Sequence, residues 1–508
     1  MSLPTRGKRR ARARVLAVAA ILLVAGLLPA TSALADPISD SRGFRKAVTV
    51  GGIREHQAAL QAIADANGGN RAVGTPGYDA SVEYVVEKAE AAGLNVSLDP
   101  FTYVESFSEG SPPELEEIAP EPQVFTAGSR PAFDGDFVSF TGSGEVTASV
   151  TGVDLMLPPG PAPNSNTSGC EEEDFAGFPA GNIALIQRGT CPYVQKAANA
   201  QEFGASGLII FNEGQPGRTA VPNNLPLGAE GIHIPGVGTS FDVGVDLSDP
   251  GTVARVKTEV LEELGESVNV IAETPGGDPN RTVVIGAHLD SVPAGPGIND
   301  NGSGSGGILE IAEVYSAQNR TPRNKLRFMW YGAEEIGLVG STKYVEELSQ
   351  SEKDDILAML NFDMIGSPNY ARYVYDGDGT IGPVGPTGSG LIEDVFVDYF
   401  ASQGLFNEPT AFDGRSDYGP FIADGIPAGG LFTGAEQPKT AAQVAQYGGI
   451  AGAQLDPCYH VACDTFAGTG GATAPGLGLR ALDEMSDAAA HAALFFSKTK
   501  VNVRNTPN

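Results

Sequence analysis

Residues 282–304 read TVVIGAHLDSVPAGPGINDNGSG, an apolar run followed by a polar, glycine-rich loop. The run Thr282–Ala287 predicts a strand, and the apolar spacing of Ser305–Tyr315 after the loop predicts a helix. The same alternation continues along the chain through a strand, a helix and another strand: Lys325–Tyr331, Ser341–Leu348, Leu357–Asp363. Alternation of this kind is typical of a doubly wound α/β sheet with mostly parallel strands, so we predict that fold class.

Residues 123–260 have a different sequence pattern from the rest of the chain. It contains short β patterns separated by glycine and proline: Phe137–Phe140, Val146–Val150, Ile183–Gln187, Gly207–Phe211, Ile234–Val237. Before it, the acidic, proline-rich segment Ser108–Pro122 predicts a linker, and the helical pattern Phe44–Ala66 has a predicted break at Gly51-Gly52. We therefore predict one α/β domain in two parts, 36–122 and 261–508, with a β-rich domain inserted at 123–260.

Residues 1–35 have the composition of a secretory signal peptide. Six basic residues and no acidic one precede the apolar run Val15–Leu28, and Ala33-Leu34-Ala35 supplies the small residues of a cleavage site. The run is shorter than the roughly 20 residues that a membrane span needs, although an uncleaved anchor is the alternative. We expect a secreted, extracellular protein that is not attached to a membrane once the signal is removed.

The charge balance restricts the partners. The chain carries 62 acidic and 32 basic residues, a net charge of −30, and loss of the basic signal peptide makes it more acidic still. The negative electrostatic field of such a chain repels nucleic acid and anionic membranes, and the net charge favours solubility. We therefore expect no nucleic-acid partner, and we expect a monomer.

The four cysteines form two local groups in the sequence. Cys170 and Cys191 lie in one region, and Cys458 and Cys463 lie in another. An even number of cysteines in an exported protein predicts disulfides, here two local ones. A zinc site built from all four is the alternative, and it is disfavoured because neither pair has Cys-x-x-Cys spacing.

Titratable side chains follow each of the three predicted strands. In open α/β sheets ligands bind beyond the carboxyl ends of the strands, and imidazoles and carboxylates are ligands that suit zinc. Taken singly, each has an ordinary structural explanation, such as a solvated glutamate pair or an aspartate that caps a helix. The residues are, in chain order, His288, Asp290, Asp300, Glu334, Glu335, Asp363 and, in a later segment, His460.

Together these motifs resemble the co-catalytic zinc aminopeptidases secreted by bacteria, the bacterial leucyl aminopeptidase type of zinc exopeptidase. The resemblance covers both parts of the α/β domain and implies hydrolysis of the N-terminal bond of peptides with a free N-terminus. It also implies a preference for apolar N-terminal residues. The motifs are HLDS at 288–291, NDNGSG at 299–304, GAEEIG at 332–337, NFDMIG at 361–366 and YHVACD at 459–464.

The resemblance implies two zinc ions per chain, with Asp300 as the carboxylate that bridges them. One ion would also bind His288 and Asp363, and the other Glu335 and His460. Two such ions lower the pKa of a shared water and polarise the attacked carbonyl. No motif in the sequence indicates whether calcium also binds.

Further roles follow from the same resemblance. Glu334 is expected to act as the general base, and Tyr459 as a hydrogen-bond donor to the oxyanion. Asp290 is expected to orient the His288 imidazole. Arg415, in the segment DGRSDY at 413–418, is a candidate for substrate binding, with a surface salt bridge as the alternative.

The predicted insert separately resembles the protease-associated domain of secreted and vacuolar peptidases. The matching stretches are IALIQRG at 183–189, Cys191 and ASGLIIF at 205–211. This resemblance implies no catalytic chemistry in the insert. The insert could serve as a lid, a substrate filter or a spacer. For the whole chain, the alternatives are a carboxypeptidase or dipeptidase on a related zinc fold, and a non-catalytic, receptor-like protein.

Overall fold

The computed structural model describes residues 41–160, 162–468 and 476–508, so the predicted signal peptide lies outside the described residues. No helix in these ranges is long and apolar enough to cross a membrane. The helices are α1 (Val50–Ala66), α2 (Pro76–Ala91), α3 (Tyr193–Glu202), α4 (Phe241–Asp246), α5 (Gly302–Ala317), α6 (Val339–Glu347), α7 (Gln350–Asp355), α8 (Ser389–Ser402), α9 (Tyr418–Ala423), α10 (Ala441–Tyr447) and α11 (Leu477–Lys498). The strands are β1 (Asn95–Glu109), β2 (Glu114–Ala119), β3 (Gln123–Val124), β4 (Phe137–Thr141), β5 (Ser143–Val153), β6 (Ile183–Gln187), β7 (Gly207–Phe211), β8 (Gly236–Thr239), β9 (Val253–Glu273), β10 (Asp278–His288), β11 (Asn324–Tyr331), β12 (Ile356–Phe362), β13 (Tyr373–Tyr375), β14 (Glu408–Thr410) and β15 (Ala428–Phe432).

The α/β domain is built on a sheet with strand order β14-β13-β15-β12-β10-β11-β9. Its centre, β15-β12-β10-β11, is parallel, and β9 and β13 flank it in the antiparallel direction. All seven residues of β12 are buried, as expected for a parallel strand that is covered on both faces. The predicted doubly wound, mostly parallel sheet is confirmed.

Helices cover both faces of this sheet. Val283 and Ile285 of β10 pack into a core shared with α1, α2, α5, α8 and α11. Val284, between them, points to the other face and joins a core with α6 and α9. Because neighbouring strand residues point to opposite faces, one apolar run supplies both cores, which explains why the strand reads as continuously apolar.

Strand β9 links the α/β sheet to a second, β-rich sheet. The C-terminal part of β9 pairs with β1 and β11, and its N-terminal part pairs with β2 and β5. The second sheet continues in the order β5-β6-β7-β8-β4, with β5 to β8 parallel. The predicted boundary at residue 260 therefore falls inside one continuous strand, and the domain limits stay predictions.

The predicted linker Ser108–Pro122 is wrong, because residues 114–119 form β2. Leu115 is buried in the alternating pattern of a strand, and β2 pairs with β9 over Val253–Lys257. Two of the acidic residues that suggested a linker, Glu114 and Glu116, form ion pairs with Arg255 on the neighbouring strand, at 2.7 and 2.9 Å. The positive charge of Arg255 on the neighbouring strand thus offsets the negative charges of these two glutamates.

The predicted helix break at Gly51-Gly52 is misplaced, because the helical pattern is interrupted at residues 46–49 instead. Both glycines lie in the first turn of α1, where the Thr49 side chain accepts a hydrogen bond from the Gly52 N–H at 3.0 Å. A Cβ atom on Gly52 would lie 2.3 Å from the Glu310 carboxylate. Glycine at this position therefore permits close packing of α1 against α5.

Candidate metal centre

The motif residues meet because the strands that carry them are parallel. His288 ends β10 beside Tyr331 of β11, and Gly286 of β10 pairs with Asn361 of β12. Glu334 and Asp363 follow the ends of β11 and β12, so all three motifs emerge at one edge of the sheet. The edge also lines a pocket of about 330 Å³ that includes His460 from the later segment.

Asp300 lies at the centre of this group of side chains. Its Oδ1 is 3.2 Å from His288 Nε2, and its Oδ2 is 3.2 Å from His460 Nε2. Asp363 Oδ1 lies 3.4 Å from His288 Nε2, and Glu335 Oε2 lies 2.8 Å from His460 Nε2. Two ligand groups therefore share one carboxylate, and within each group the ligand atoms lie within 4.8 Å of one another.

The donor atoms of both groups fit divalent ions. Three buried atoms have no hydrogen-bond partner: His288 Nε2, Asp363 Oδ1 and Glu335 Oε1. Leaving a buried polar atom unpaired costs about 1–3 kcal/mol, which a coordinated cation would offset. Imidazole and carboxylate donors are also ligands that zinc prefers.

Burial and close packing perturb the acidity of these groups. Burial raises the pKa of Glu334 well above its ordinary value, and burial beside Asp300 raises the pKa of Glu335 to about 7. Burial would also raise the pKa of Asp300, but the imidazoles of His288 and His460, each 3.2 Å away, outweigh it and lower the pKa to about 2. Metal ligands must be deprotonated, so bound cations would displace the protons that this cluster otherwise retains.

Asp290 connects the two strand ends that carry His288 and the glutamate pair. Its carboxylate accepts hydrogen bonds from the backbone N–H groups of Glu334 and Glu335, at 3.2 and 3.3 Å. Asp290 Oδ1 is 3.5 Å from His288 Nδ1, and the Asp290 carbonyl oxygen is 3.2 Å from the same nitrogen. This geometry suits a residue that orients an imidazole ligand.

Tyr459 and Arg415 form the outer rim of the site. The Tyr459 ring stacks on His460 with 3.8 Å between ring centroids, and its hydroxyl accepts a hydrogen bond from Arg415 Nη2 at 3.1 Å. Arg415 Nη1 also donates to Glu436 at 2.9 Å. Arg415 thus lines the pocket and forms a surface salt bridge at the same time.

Both expected disulfides are present, Cys170–Cys191 and Cys458–Cys463. The alternative of a four-cysteine zinc site is therefore wrong. The second disulfide closes the segment that carries Tyr459 and His460, so it joins the two ends of a loop that reaches the metal centre.

Two carboxylates next to this disulfide were given no role by sequence reasoning. Asp464 accepts hydrogen bonds from the backbone N–H groups of Asn299 and Asp300, at 2.7 and 2.9 Å. Asp456 accepts from the Asn299 side chain at 2.6 Å and from the Cys458 N–H at 2.8 Å. Asp464 lies within the YHVACD motif, whereas nothing in the local sequence marks Asp456.

Ser416 is a third contact that the sequence did not reveal. Its hydroxyl donates to Asp363 Oδ2 at 2.7 Å and accepts a hydrogen bond from the Asn361 side chain at 2.8 Å. The neighbour of Arg415 therefore holds a candidate metal ligand in place. Only the position of Ser416 in the DGRSDY segment could have suggested such a role.

Comparison with known proteins identifies the class. The family model described as peptidase family M28 matches residues 269–475, and the PA domain model matches residues 150–247. The chain belongs to peptidase family M28 and carries an inserted PA domain. The predicted class, a zinc aminopeptidase-type exopeptidase, is confirmed.

Individual relatives agree with this assignment. The chain is 47% identical over 434 residues to an aminopeptidase of Pseudomonas aeruginosa strain PAO1, which covers 85% of this chain and 79% of that protein. It is 39% identical over 439 residues to the probable lipoprotein aminopeptidase LpqL of Mycobacterium tuberculosis H37Rv, covering 83% and 81% of the two chains.

Solved structures show the same fold. An aminopeptidase from Aneurinibacillus sp. strain AM-1 superposes with a TM-score of 0.58 at 24% identity, covering 92% of this chain and 98% of that one. The zinc aminopeptidase BSAP from Bacillus subtilis superposes with a TM-score of 0.51 at 23% identity, covering 91% and 98%. The fold therefore extends over the α/β domain and the insert together.

Proposed function

We propose that the chain removes N-terminal residues from peptides and holds two zinc ions at the site centred on Asp300. One observation carries this proposal: the two oxygens of one buried carboxylate face two separate ligand groups, each with one imidazole and one further carboxylate. When bound, the ions supply Lewis-acid polarisation of the substrate carbonyl and of the attacking water. The protein contributes the groups that orient the substrate and move the proton.

Glu334 is the proposed general base. It lines the pocket but belongs to neither ligand group, and its Oε2 lies 3.9 Å from His288 Nε2. The backbone N–H of Glu334 donates to the Asp290 carboxylate, which holds the chain segment that carries the Glu334 side chain. From there Glu334 takes the proton of the attacking water and delivers it to the leaving amine.

Tyr459 is the proposed donor to the oxyanion. Its hydroxyl accepts a hydrogen bond from Arg415, which leaves its own hydrogen available for donation. Burial raises the pKa of Tyr459, so the hydroxyl keeps its proton at neutral pH. A fixed donor aimed at the developing charge lowers the barrier without reorganisation.

The charges in the pocket favour a substrate ammonium over a substrate carboxylate. Arg415 is the one lysine or arginine among the described lining residues, and Glu436 already pairs with it. A carboxypeptidase or dipeptidase would need cations to hold a C-terminal carboxylate, so this alternative is disfavoured. Of the carboxylates that line the pocket, Asp300, Glu335 and Asp363 are the proposed ligands, whose charge the ions would offset, and Glu334 and Asp413 remain to attract an ammonium group.

The remaining walls of the pocket support a preference for apolar N-terminal residues. Apolar and aromatic side chains also line the pocket, and such surfaces bind aliphatic groups by excluding water. They are Leu338, Met364, Tyr375, Phe432 and Ala435.

Secretion and a monomeric state complete the proposal. The signal-peptide composition of residues 1–35 and the two disulfides support export to an oxidising compartment.

The intact ligand set and Glu334 argue against a non-catalytic, receptor-like protein. For the insert we retain the predicted role of a lid, filter or spacer.

Cleavage of matched anilides tests the direction of attack. We expect hydrolysis of leucine p-nitroanilide and little hydrolysis of its N-acetylated form, because acetylation removes the ammonium group that the carboxylates would hold. Amidation of the C-terminus of a leucine-initiated peptide should change its rate little. Equal rates on the acetylated and free anilides, or a strict need for a free C-terminal carboxylate, would contradict the proposal.

A further inference from the structure

A second cluster of potential metal ligands lies away from the catalytic pocket, between α1 and α5. His56 of α1 faces Glu310 and Glu313 of α5, with His56 Nε2 at 3.9 Å from Glu310 Oε2 and 3.6 Å from Glu313 Oε2. The ligand atoms lie within 4.8 Å of one another. Glu310 is eight residues after Gly302, the first residue of α5, and a helix rises about 1.5 Å per residue, so the cluster lies about 12 Å along α5 from the end next to Asp300.

The orientation of His56 indicates a ligand. The residue is 3% exposed, and its Nε2 is buried without a hydrogen-bond partner while facing both carboxylates. Its other nitrogen, Nδ1, is 2.8 Å from the hydroxyl of Tyr84 on α2. A metal-bound imidazole typically donates its second N–H to an oxygen in this way, which leaves Nε2 free to bind the ion.

The two carboxylates are also arranged for this purpose. Glu310 Oε1 is held by the backbone N–H and the hydroxyl of Thr49, at 3.2 and 3.4 Å, which leaves Oε2 directed toward His56. The Glu313 side chain is 30% exposed and provides a route from solvent. Gly52 allows the close approach of α1 that brings the three ligands together.

We propose that His56, Glu310 and Glu313 form a structural zinc site that ties α1 to α5. Two ligands of a tetrahedral zinc ion lie about 3.4 Å apart, since zinc–nitrogen and zinc–oxygen bonds are about 2.0–2.2 Å long. The two separations from His56, 3.9 and 3.6 Å, need to shorten by at most about 0.5 Å, and the two carboxylate oxygens already lie within 4.8 Å of each other. Water completes the coordination on the exposed side of Glu313. The ion stabilises the helix that begins beside the bridging carboxylate.

Zinc stoichiometry of the full chain tests this site. Wild-type protein, Glu313→Gln and His56→Gln are dialysed against the same micromolar zinc buffer, separated from free zinc and analysed for bound metal. We expect each variant to carry one zinc ion fewer than wild type. The matched control is Glu55→Gln, which removes an exposed carboxylate next to His56 and should leave the count unchanged. Because the readout is a difference, it does not depend on how many ions the catalytic pocket holds.

Thermal unfolding supplies a second readout. Zinc should raise the melting temperature of wild type and Glu55→Gln more than that of Glu313→Gln, while all three hydrolyse leucine p-nitroanilide. Glu313 is partly exposed, so its variant keeps the test valid if His56→Gln fails to fold. Equal zinc content in wild type and Glu313→Gln, with equal zinc-induced shifts, would overturn the proposal and leave His56 as a packing contact between α1 and α5.

Discussion

At the scale of single residues, Glu334 and Glu335 are neighbours in the chain but have different surroundings. Glu335 Oε2 contacts His460, and its Oε1 is buried without a partner. Glu334 belongs to neither ligand group. The Asp290 carboxylate accepts hydrogen bonds from the backbone N–H groups of both glutamates. These bonds fix the turn from which the two side chains project in different directions.

Substitution of the two glutamates should therefore have different effects. Glu334→Gln is expected to reduce kcat by about 10²–10⁴-fold while both ions stay bound, because it removes only the proton acceptor. Glu335→Gln is expected to lower the zinc content by one ion. Steady-state kinetics and metal analysis of both variants check these outcomes. Loss of metal in Glu334→Gln, with full metal in Glu335→Gln, would mean that the two assignments must be exchanged.

At the scale of elements, the Cys458–Cys463 loop is connected to the metal centre by more than its own two side chains. Tyr459 and His460 lie inside the loop, and Asp464, directly after it, binds the backbone that leads to Asp300. The disulfide therefore restrains an oxyanion donor, a ligand and the support of the bridging carboxylate at once.

Removal of this disulfide should impair catalysis more than folding. For the double variant Cys458→Ser, Cys463→Ser we expect kcat to fall by up to about 10²-fold, because an error of about 1 Å at a reacting centre costs that much. Removal of Cys170–Cys191 in the insert is the control and should leave kcat nearly unchanged. Kinetics and thermal unfolding of both double variants give the comparison. Parental kcat without Cys458–Cys463 would show that other contacts hold the loop.

Helix α11 contains a buried histidine that makes stability depend on pH. His491 lies 2.9 Å from the Ser41 hydroxyl and stacks on Tyr399, and burial, together with the nearby Arg45, lowers its pKa to about 4. The ordinary pKa of histidine is about 6.5, so between these values the unfolded chain binds a proton that the folded chain does not. The free energy of unfolding should therefore fall as the pH drops from about 6.5 to about 4, by at most about 3 kcal/mol from this residue.

Urea unfolding at pH 7.5 and pH 5 measures this effect. His491→Gln should lose less stability than wild type between the two values, because it lacks the titrating group. His233→Gln, at an exposed position, should behave like wild type. Any release of metal at low pH affects all three proteins alike. Identical losses in His491→Gln and wild type would exclude His491 as a source of the pH dependence.

At the scale of the whole molecule, the candidate metal groups of the described residues all lie in the α/β domain and outside residues 123–260. Metal removal should therefore affect one domain selectively. A ligand at 100 times its dissociation constant stabilises the state that binds it by about 2.7 kcal/mol.

Chelation should abolish peptide hydrolysis and lower the melting temperature of the α/β domain by several degrees, while the insert melts as before. Calorimetry of chelated and zinc-restored protein measures the transitions, and leucine p-nitroanilide hydrolysis measures recovery. Undiminished hydrolysis by protein shown to be free of metal would contradict the proposed zinc dependence. A parallel shift of both domains would contradict its restriction to the α/β domain.

The sequence by itself determined the fold class, the disulfide pairs and the candidate catalytic residues. Strand and helix periodicity is a local property, and β6 and β7 have the bounds that their apolar runs predict. His288 and Asp363 could be selected because strand ends of a parallel sheet meet at one edge, and the resemblance to zinc aminopeptidases added Asp300 in the loop before α5.

Only the tertiary structure decided which side chains hold these residues in position. Asp464 binds Asp300 across 164 residues of chain, and Ser416 binds Asp363 across 53. The same holds for Gly52 against Glu310, and for β2, which pairs with β9 despite its acidic composition. The physical reason is common to all four: each contact depends on a partner far away in the chain, whereas local composition and periodicity report only the conformation of neighbouring residues.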